Sequence, residues 1–234
     1  MIKWKVCNMN KLFNADCYAV VEKLADGSID LIITDPPYKF DSKGGGFYAD
    51  NNSTKREYAQ KLMDLKCCDF DPIAFLDAVK PKMKKFYAYV FCNKTLVEDY
   101  IHWAKTHKCS YDILVMAKSN PIPAYNNHYV SDLEYIIVIR EKGTYFSKEK
   151  NLDLYRKWFM TSCKKNPLHP AEKPKELIER FVKVASKEGD TVFDPFMGSG
   201  TTGVVCRELK RDFLGCEIDD KYFNLAKNRI EHGE

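Results

Sequence analysis

The sequence predicts an α/β protein, with helices on both faces of one sheet. Short β-rich apolar runs alternate with segments of helical period along the whole chain. Two of the strand ends also carry acids next to proline- or glycine-rich turns, and open α/β sheets bind ligands at the carboxyl ends of strands. The 234 residues are enough for one domain with a full core, 1–234, so no second domain is expected.

The elements follow in order. Lys11–Asn14 reads as a strand and Tyr18–Leu24 as a helix. Ile29–Thr34 is a second strand, followed by a glycine- and asparagine-rich loop over Ser42–Thr54. Helical patterns fit Glu57–Met63, Ile73–Val79 and Leu96–Lys105, with a strand at Phe86–Cys92. Strands fit Tyr111–Ala117 and Leu133–Arg140. Thr144–Pro170 is polar and basic, with aromatics interleaved, and reads as irregular. In Lys175–Ser186, Leu177, Ile178, Phe181, Val182 and Ala185 recur at helical spacing. Strands Thr191–Phe193 and Phe213–Cys216 then alternate with helices Thr202–Leu209 and Lys221–Ile230. That makes seven strands.

Composition narrows the class. Apolar residues make up 45% and charged residues 30%, as in globular proteins. No uncharged apolar run is long enough to span a membrane, and the N-terminus lacks an apolar signal region. A cytoplasmic protein is expected. Nine cysteines without any C-x-x-C argue against a disulfide framework and against a structural metal. The net charge is only +4, but nine bases against Glu149, Asp153 and Glu172 give Lys142–Lys175 a net +6. Such a stretch either tracks phosphates or forms a solvated face. Its candidate nucleic-acid contacts are Lys148, Lys150, Arg156, Lys157, Lys164 and Lys165.

The glycine corner comes late in the chain. Asp194-Pro195-Phe196-Met197-Gly198-Ser199-Gly200-Thr201-Thr202 lies between a strand and a helix. Glycines allow close backbone approach, and the helix start supplies unpaired N–H groups. No Lys follows Gly200, which excludes a P-loop, whereas Gly203 leaves a dinucleotide site as a weak competitor. Glu217 closes the next strand and can accept from ribose hydroxyls; Asp194 can accept from an ammonium. Together they suit a ligand with a ribose and an amino-acid tail.

The proline corner is Asp35-Pro36-Pro37-Tyr38, at the end of the second strand. The prolines stiffen the turn and have no N–H, so their carbonyls can accept. Asp35 and the Pro36 carbonyl can take the two N–H bonds of a planar amine, with Tyr38 stacked on its ring. Such bonds localise the nitrogen lone pair and stabilise the positive charge that grows as a methyl group arrives. Taken alone, the motif also reads as a proline-stiffened turn.

These residues resemble the beta-class amino-group DNA methyltransferases. Leu31–Tyr38 is similar to the catalytic motif, Asp194–Thr202 to the cofactor motif, and His169-Pro170-Ala171-Glu172-Lys173-Pro174 to the segment before it. The catalytic motif precedes the cofactor motif, as in that class. The resemblance implies a Rossmann-like, seven-stranded, mostly parallel sheet in circularly permuted order. It implies S-adenosyl-L-methionine held by Asp16, Cys17, Asp35, Lys173, Asp194, Pro195, Phe196, Gly198, Ser199, Gly200, Thr201, Thr202 and Glu217. For Asp16 a helix N-cap is an equal reading. His169 reads as structural. Lys118, Asn120, Pro121 and Glu134 would lie near a base flipped out of the stack.

The expected reaction is methylation of adenine N6 in double- or single-stranded DNA, with cytosine N4 as the alternative. RNA or protein-amide transfer and a non-catalytic nucleic-acid-binding protein are further alternatives. Only 143–168 is free for target recognition, so a short site, a single strand or a homodimer would have to supply specificity. A bacterial or phage source and a cognate restriction endonuclease accompany the expectation.

Overall fold

The structure is a computed structural model that describes residues 10–37, 70–121, 129–162, 167–169 and 171–233. One eight-stranded sheet carries the fold. Its strands are β1 (Lys11–Asn14), β2 (Leu31–Thr34), β3 (Tyr87–Cys92), β4 (Ser110–Lys118), β5 (Leu133–Arg140), β6 (Trp158–Thr161), β7 (Thr191–Asp194) and β8 (Asp212–Glu217). The order is β1-β8-β7-β2-β3-β5-β4-β6. Only β5 runs against the rest, pairing antiparallel with β3 and β4.

The helices among the described residues are α1 (Cys17–Lys23), α2 (Pro72–Val79), α3 (Val97–Thr106), α4 (Lys175–Ala185), α5 (Thr201–Glu208) and α6 (Asp220–His232). The first three pack one on the next, as do the last three. β2 leads to β3 and β7 leads to β8 in opposite directions along the sheet, so the right-handed rule for parallel crossovers places these sets on opposite faces. Strands buried along their whole length, such as β2, β3 and β7, require that double cover. Three helix starts use an aspartate cap. Asp16, Asp71 and Asp219 each accept two backbone N–H bonds at the heads of α1, α2 and α6.

The strand count corrects the expected seven. Trp158-Phe159-Met160-Thr161 forms an edge strand parallel to β4, inside the stretch read as irregular. It is four residues long, flanked by Arg156 and Lys157, and shows one half-buried face. Its signal is short, and charges of this kind are what an unpaired sheet edge carries. The helix expected at Glu57–Met63 and the loop at Ser42–Thr54 lie outside the described residues.

Aromatic residues of the basic stretch fasten it to the core. Phe146 stacks on Tyr155 at 5.4 Å, and the Tyr155 hydroxyl donates to Ser147 O at 3.0 Å. Arg180 on α4 donates to the carbonyls of Leu154, Arg156 and Trp158. Trp158 and Met160 remain outward, 54% and 62% exposed.

Candidate active site

The direction in which the chain winds across the sheet reverses at the parallel β7–β2 pair. From β7 the chain winds to β8, and from β2 it winds to β3 on the other side. A crevice at the carboxyl ends is expected there. β7 and β2 are in register from Leu31↔Val192 to Ile32↔Phe193, so Asp194 and Asp35 end neighbouring strands. Glu217 ends β8, and the Asp16 cap follows β1. Four acids from distant parts of the chain therefore share one edge.

The glycine corner is organised by its own backbone. Asp194 is buried, its carboxylate accepting from Phe196 N at 3.2 Å and from the Thr202 hydroxyl at 2.7 Å. Burial pushes its pKa up to about 7; those two hydrogen bonds oppose the shift, and Asp35 and Glu217 add to it. Glu217 accepts from Gly198 N at 3.0 Å and Asp219 N at 2.9 Å. Burial raises its pKa as well. Gly200 caps α5 with φ +78, and a Cβ there would stand 2.9 Å from the Ala226 Cβ. Only glycine fits that conformation and that gap. Pro195 and Ser199 are buried and Phe196 half-buried, the Phe196 ring lying 5.6 Å from Phe70 and 5.8 Å from Phe75.

The segment before α4 closes this corner. The His169 Nδ1 accepts from Ala171 N at 3.1 Å, and its ring meets Tyr222 edge-on at 4.3 Å. Burial, then the Lys173 charge, lower its pKa to about 4, so it is neutral near pH 7. Arg229 on α6 donates to Ser199 O at 2.6 Å and lies 3.7 Å from Glu172. Sequence reasoning missed Arg229, which sits beside Ala226 and Ile230 on the buried stripe of α6.

The proline corner is organised differently. Asp35 is half-buried, Pro36 buried and Pro37 half-buried; Tyr38 lies outside the described residues. The Lys173 ammonium pairs directly with Asp35. The ammonium of Lys173, one of the expected cofactor residues, lies between Asp35 and Glu134, the latter at 3.4 Å. The ring of Phe91 is 5.0 Å away. Burial works against the Lys173 charge, but the two carboxylates outweigh it and raise its pKa. Glu134 heads β5, whose amino end meets the carboxyl end of β3 through the pair Cys92↔Tyr135. It also holds Lys118 at 2.5 Å. Burial would raise Glu134, yet Lys173 and Lys118 bring it to about 2. Cys92, at the end of β3, is pushed up to about 12 by burial and then by Asp35, and burial also raises Cys206 and Cys216. These thiols stay protonated and are poor nucleophiles.

Of the remaining candidates, Asp16 caps α1 at 2.9 and 3.2 Å, and Cys17 is buried at the head of that helix. Thr201 and Thr202 are buried in the first turn of α5. Among the described residues, the candidate nucleic-acid-binding bases do not gather at this edge. Ser147 bonds to Val184 O in the last turn of α4, so the exposed Lys148 and Lys150 sit at the opposite edge. Arg156 pairs with Asp153 at 2.6 Å and Lys157 with Asp112. Lys164 and Lys165 lie outside the described residues.

The donors fit S-adenosylmethionine. Asp194, buried, and Glu217, half-buried, end adjacent strands with raised pKa values and suit a ligand bearing a sulfonium, an ammonium and a ribose. Fold and site thus define a methyltransferase that uses S-adenosylmethionine and acts on an amino group. Comparison with known proteins agrees. Residues 29–228 match the N6/N4 family model described as DNA methylase. The Type II methyltransferase M2.DpnII of Streptococcus pneumoniae is 28% identical over 254 residues, covering 96% of this chain and 91% of that protein. M.HpaI of Haemophilus parainfluenzae is 27% identical over 233 residues, covering 94% and 74%. The crystal structure of the M1.HpyAVI–SAM complex superposes with a TM-score of 0.70 at 25% identity, covering 94% of this chain and all of that one. The cytosine-N4-specific PvuII DNA methyltransferase shares the fold, with a TM-score of 0.67 at 16% identity. The chain belongs to the N6/N4 DNA methylase family.

Proposed function

We propose that this enzyme methylates the N6 amino group of adenine at a defined DNA site, with Asp35, Pro36, Pro37 and Tyr38 as the catalytic corner. The observation that carries the reading is the placement of Asp35 beside Asp194 at the switch point of the sheet. S-adenosylmethionine supplies an electrophilic methyl group on a sulfonium. Asp194, Glu217 and the turn from Pro195 to Thr202, with Asp16 and Cys17 beyond the end of β1 beside Glu217, would hold that molecule. The Asp35 carboxylate and the Pro36 carbonyl accept the two amine hydrogens, which pyramidalises the nitrogen and offsets its growing charge. Tyr38 stacks on the flipped base. The fixed line between donor and amine supplies the remaining advantage.

Asp in the first position of the catalytic motif supports adenine over cytosine. The Type II relatives support a place in restriction–modification, beside a cognate endonuclease in a bacterial cytoplasm. Residues 143–168 are the segment available for target recognition, and a homodimer would double that surface. Modification-sensitive sequencing of DNA from a methylation-free host expressing the chain tests the reading. N6-methyladenine at one short motif is expected. N4-methylcytosine there would reassign the base, and unmodified DNA would defeat the proposal.

A further inference from the structure

We infer that Glu134 is a positioning residue of the transfer site: it is a second anion for the Lys173 ammonium, which can leave Asp35 without losing its partner. The inference rests on the proposed function only for its catalytic consequence. The Lys173 side chain is only 10% exposed and pairs with Asp35, the carboxylate that must accept from the incoming amine. A buried ammonium cannot simply swing away, because stranding it in a low-dielectric site is costly. Glu134 lies 3.4 Å from the same nitrogen, yet its nearer oxygen Oε2 makes no hydrogen bond. The other oxygen is held by Lys118 at 2.5 Å, which keeps the carboxylate ionised and fixed. Asp35, Glu134, Lys118 and Lys173 sum to zero charge, so a short shift of Lys173 toward Glu134 leaves the cluster neutral.

The chemistry gives that shift a use. The amine lone pair forms the new N–C bond, and the electron pair of the broken S–C bond stays with sulfur. The nitrogen then carries one proton too many, which passes to Asp35 and on to solvent. A carboxylate clasped by an ammonium is a poor acceptor for either the N–H bond or the proton. With Lys173 resting on Glu134, the ammonium no longer competes for Asp35, and the carboxylate can accept the N–H bond and then the proton.

A double-mutant cycle read by thermal unfolding tests the exchange without any substrate. Asp35→Asn and Glu134→Gln should each lower Tm modestly, because one anion remains for Lys173. Together they should lower Tm by at least about twice the sum of the single shifts, since neighbours in one network are not additive. Adding Lys173→Met should restore most of the loss. Additive shifts overturn the inference, as does a triple variant that folds no better than the double. The second arm is single-turnover transfer from labelled S-adenosylmethionine to DNA of a methylation-free host. Glu134→Gln should slow transfer about tenfold or more while cofactor Kd stays within about twofold, and Glu134→Asp should recover most of the rate. An unchanged rate, or a parallel loss of rate and cofactor affinity, overturns the positioning role. A wild-type chain that methylates no DNA defeats the proposed function instead, and the unfolding cycle still decides the Glu134 exchange.

Discussion

On the β7–β8 side of the crevice, the acids at strand ends are held by their own turns. Asp194 binds Phe196 N and the Thr202 hydroxyl, and Glu217 binds Gly198 N and Asp219 N. On the β2 side, Asp35 is held by a lysine 138 residues away in sequence. The first arrangement is preorganised: its geometry is complete before a ligand arrives, and binding needs little rearrangement. The second is exchangeable, because a long side chain with two carboxylates in reach can give one of them up. On the proposed reading, one half of the site holds the methyl donor still. The other is built to trade partners when the target amine enters.

The sharpest way to break this contrast is at Asp35. Asp35→Ala should cut single-turnover transfer by about a thousandfold or more, the scale of losing a central charge-stabilising group. Cofactor Kd should stay within a few-fold, because the β7–β8 corner does not depend on Asp35. Isothermal titration beside single-turnover kinetics checks both. Near-normal transfer would remove Asp35 from the mechanism, and lost cofactor binding would show that the two halves are not separable.

Gly200→Ala attacks the preorganised half. The residue sits at φ +78, and its new Cβ would meet the Ala226 Cβ at 2.9 Å. Left-handed backbone costs about 1–2 kcal/mol for a non-glycine residue, and overpacking adds about 1–3. A lowered Tm together with weakened cofactor affinity is expected. Full stability with normal affinity would mean that this corner adapts rather than preorganises.

The asymmetry also explains what could be read from the sequence. Local motifs announced the β7–β8 corner, since a glycine turn and its acids are contiguous or one strand apart. Seven of the eight strands were legible from apolar runs and turn chemistry. β6 was not, because four residues amid lysines carry too little period. The Lys173–Asp35–Glu134 cluster was also out of reach. Its members come from α4's approach, β2 and β5, and only the strand order makes them neighbours. The basic stretch shows the same limit: charge is legible in the sequence, but the edge of the sheet that Lys148 and Lys150 decorate is not.

Protonation should separate the halves further. Asp194 titrates at about 7 in the fold, against roughly 3.9 unfolded, so the folded form favours its proton. Its contribution to stability therefore declines as pH rises from about 4 to about 7, and stays at the lower value above that. A ligand ammonium prefers the carboxylate. Cofactor affinity should rise by up to roughly tenfold per unit toward pH 7 and level off beyond it. His169 gives the opposite stability trend. Its pKa is lowered to about 4, so the unfolded chain binds the extra proton and stability falls as pH drops from roughly 6.5 toward 4. Titrations from pH 5.5 to 7.5 with wild type and Asp194→Asn test the first claim. A flat wild-type profile would exclude Asp194 from ammonium contact, while the variant should bind weakly at every pH.

The smallest expected effect concerns the basic stretch. Lys148 and Lys150 are exposed beside the last turn of α4, whereas Lys173 precedes its first turn at the catalytic edge. Eleven residues of helix span roughly 16 Å, so DNA lying over the crevice would have to wrap around that length to meet them. Lys148→Ala/Lys150→Ala should therefore change DNA affinity by less than about twofold. The slope of log affinity against log salt should stay constant, whereas each lost phosphate contact would lower it by about 0.9. A slope reduced by nearly two would show that DNA reaches the far edge. The crevice would then be only part of a surface that wraps from the catalytic corner, along α4, to the end of β5.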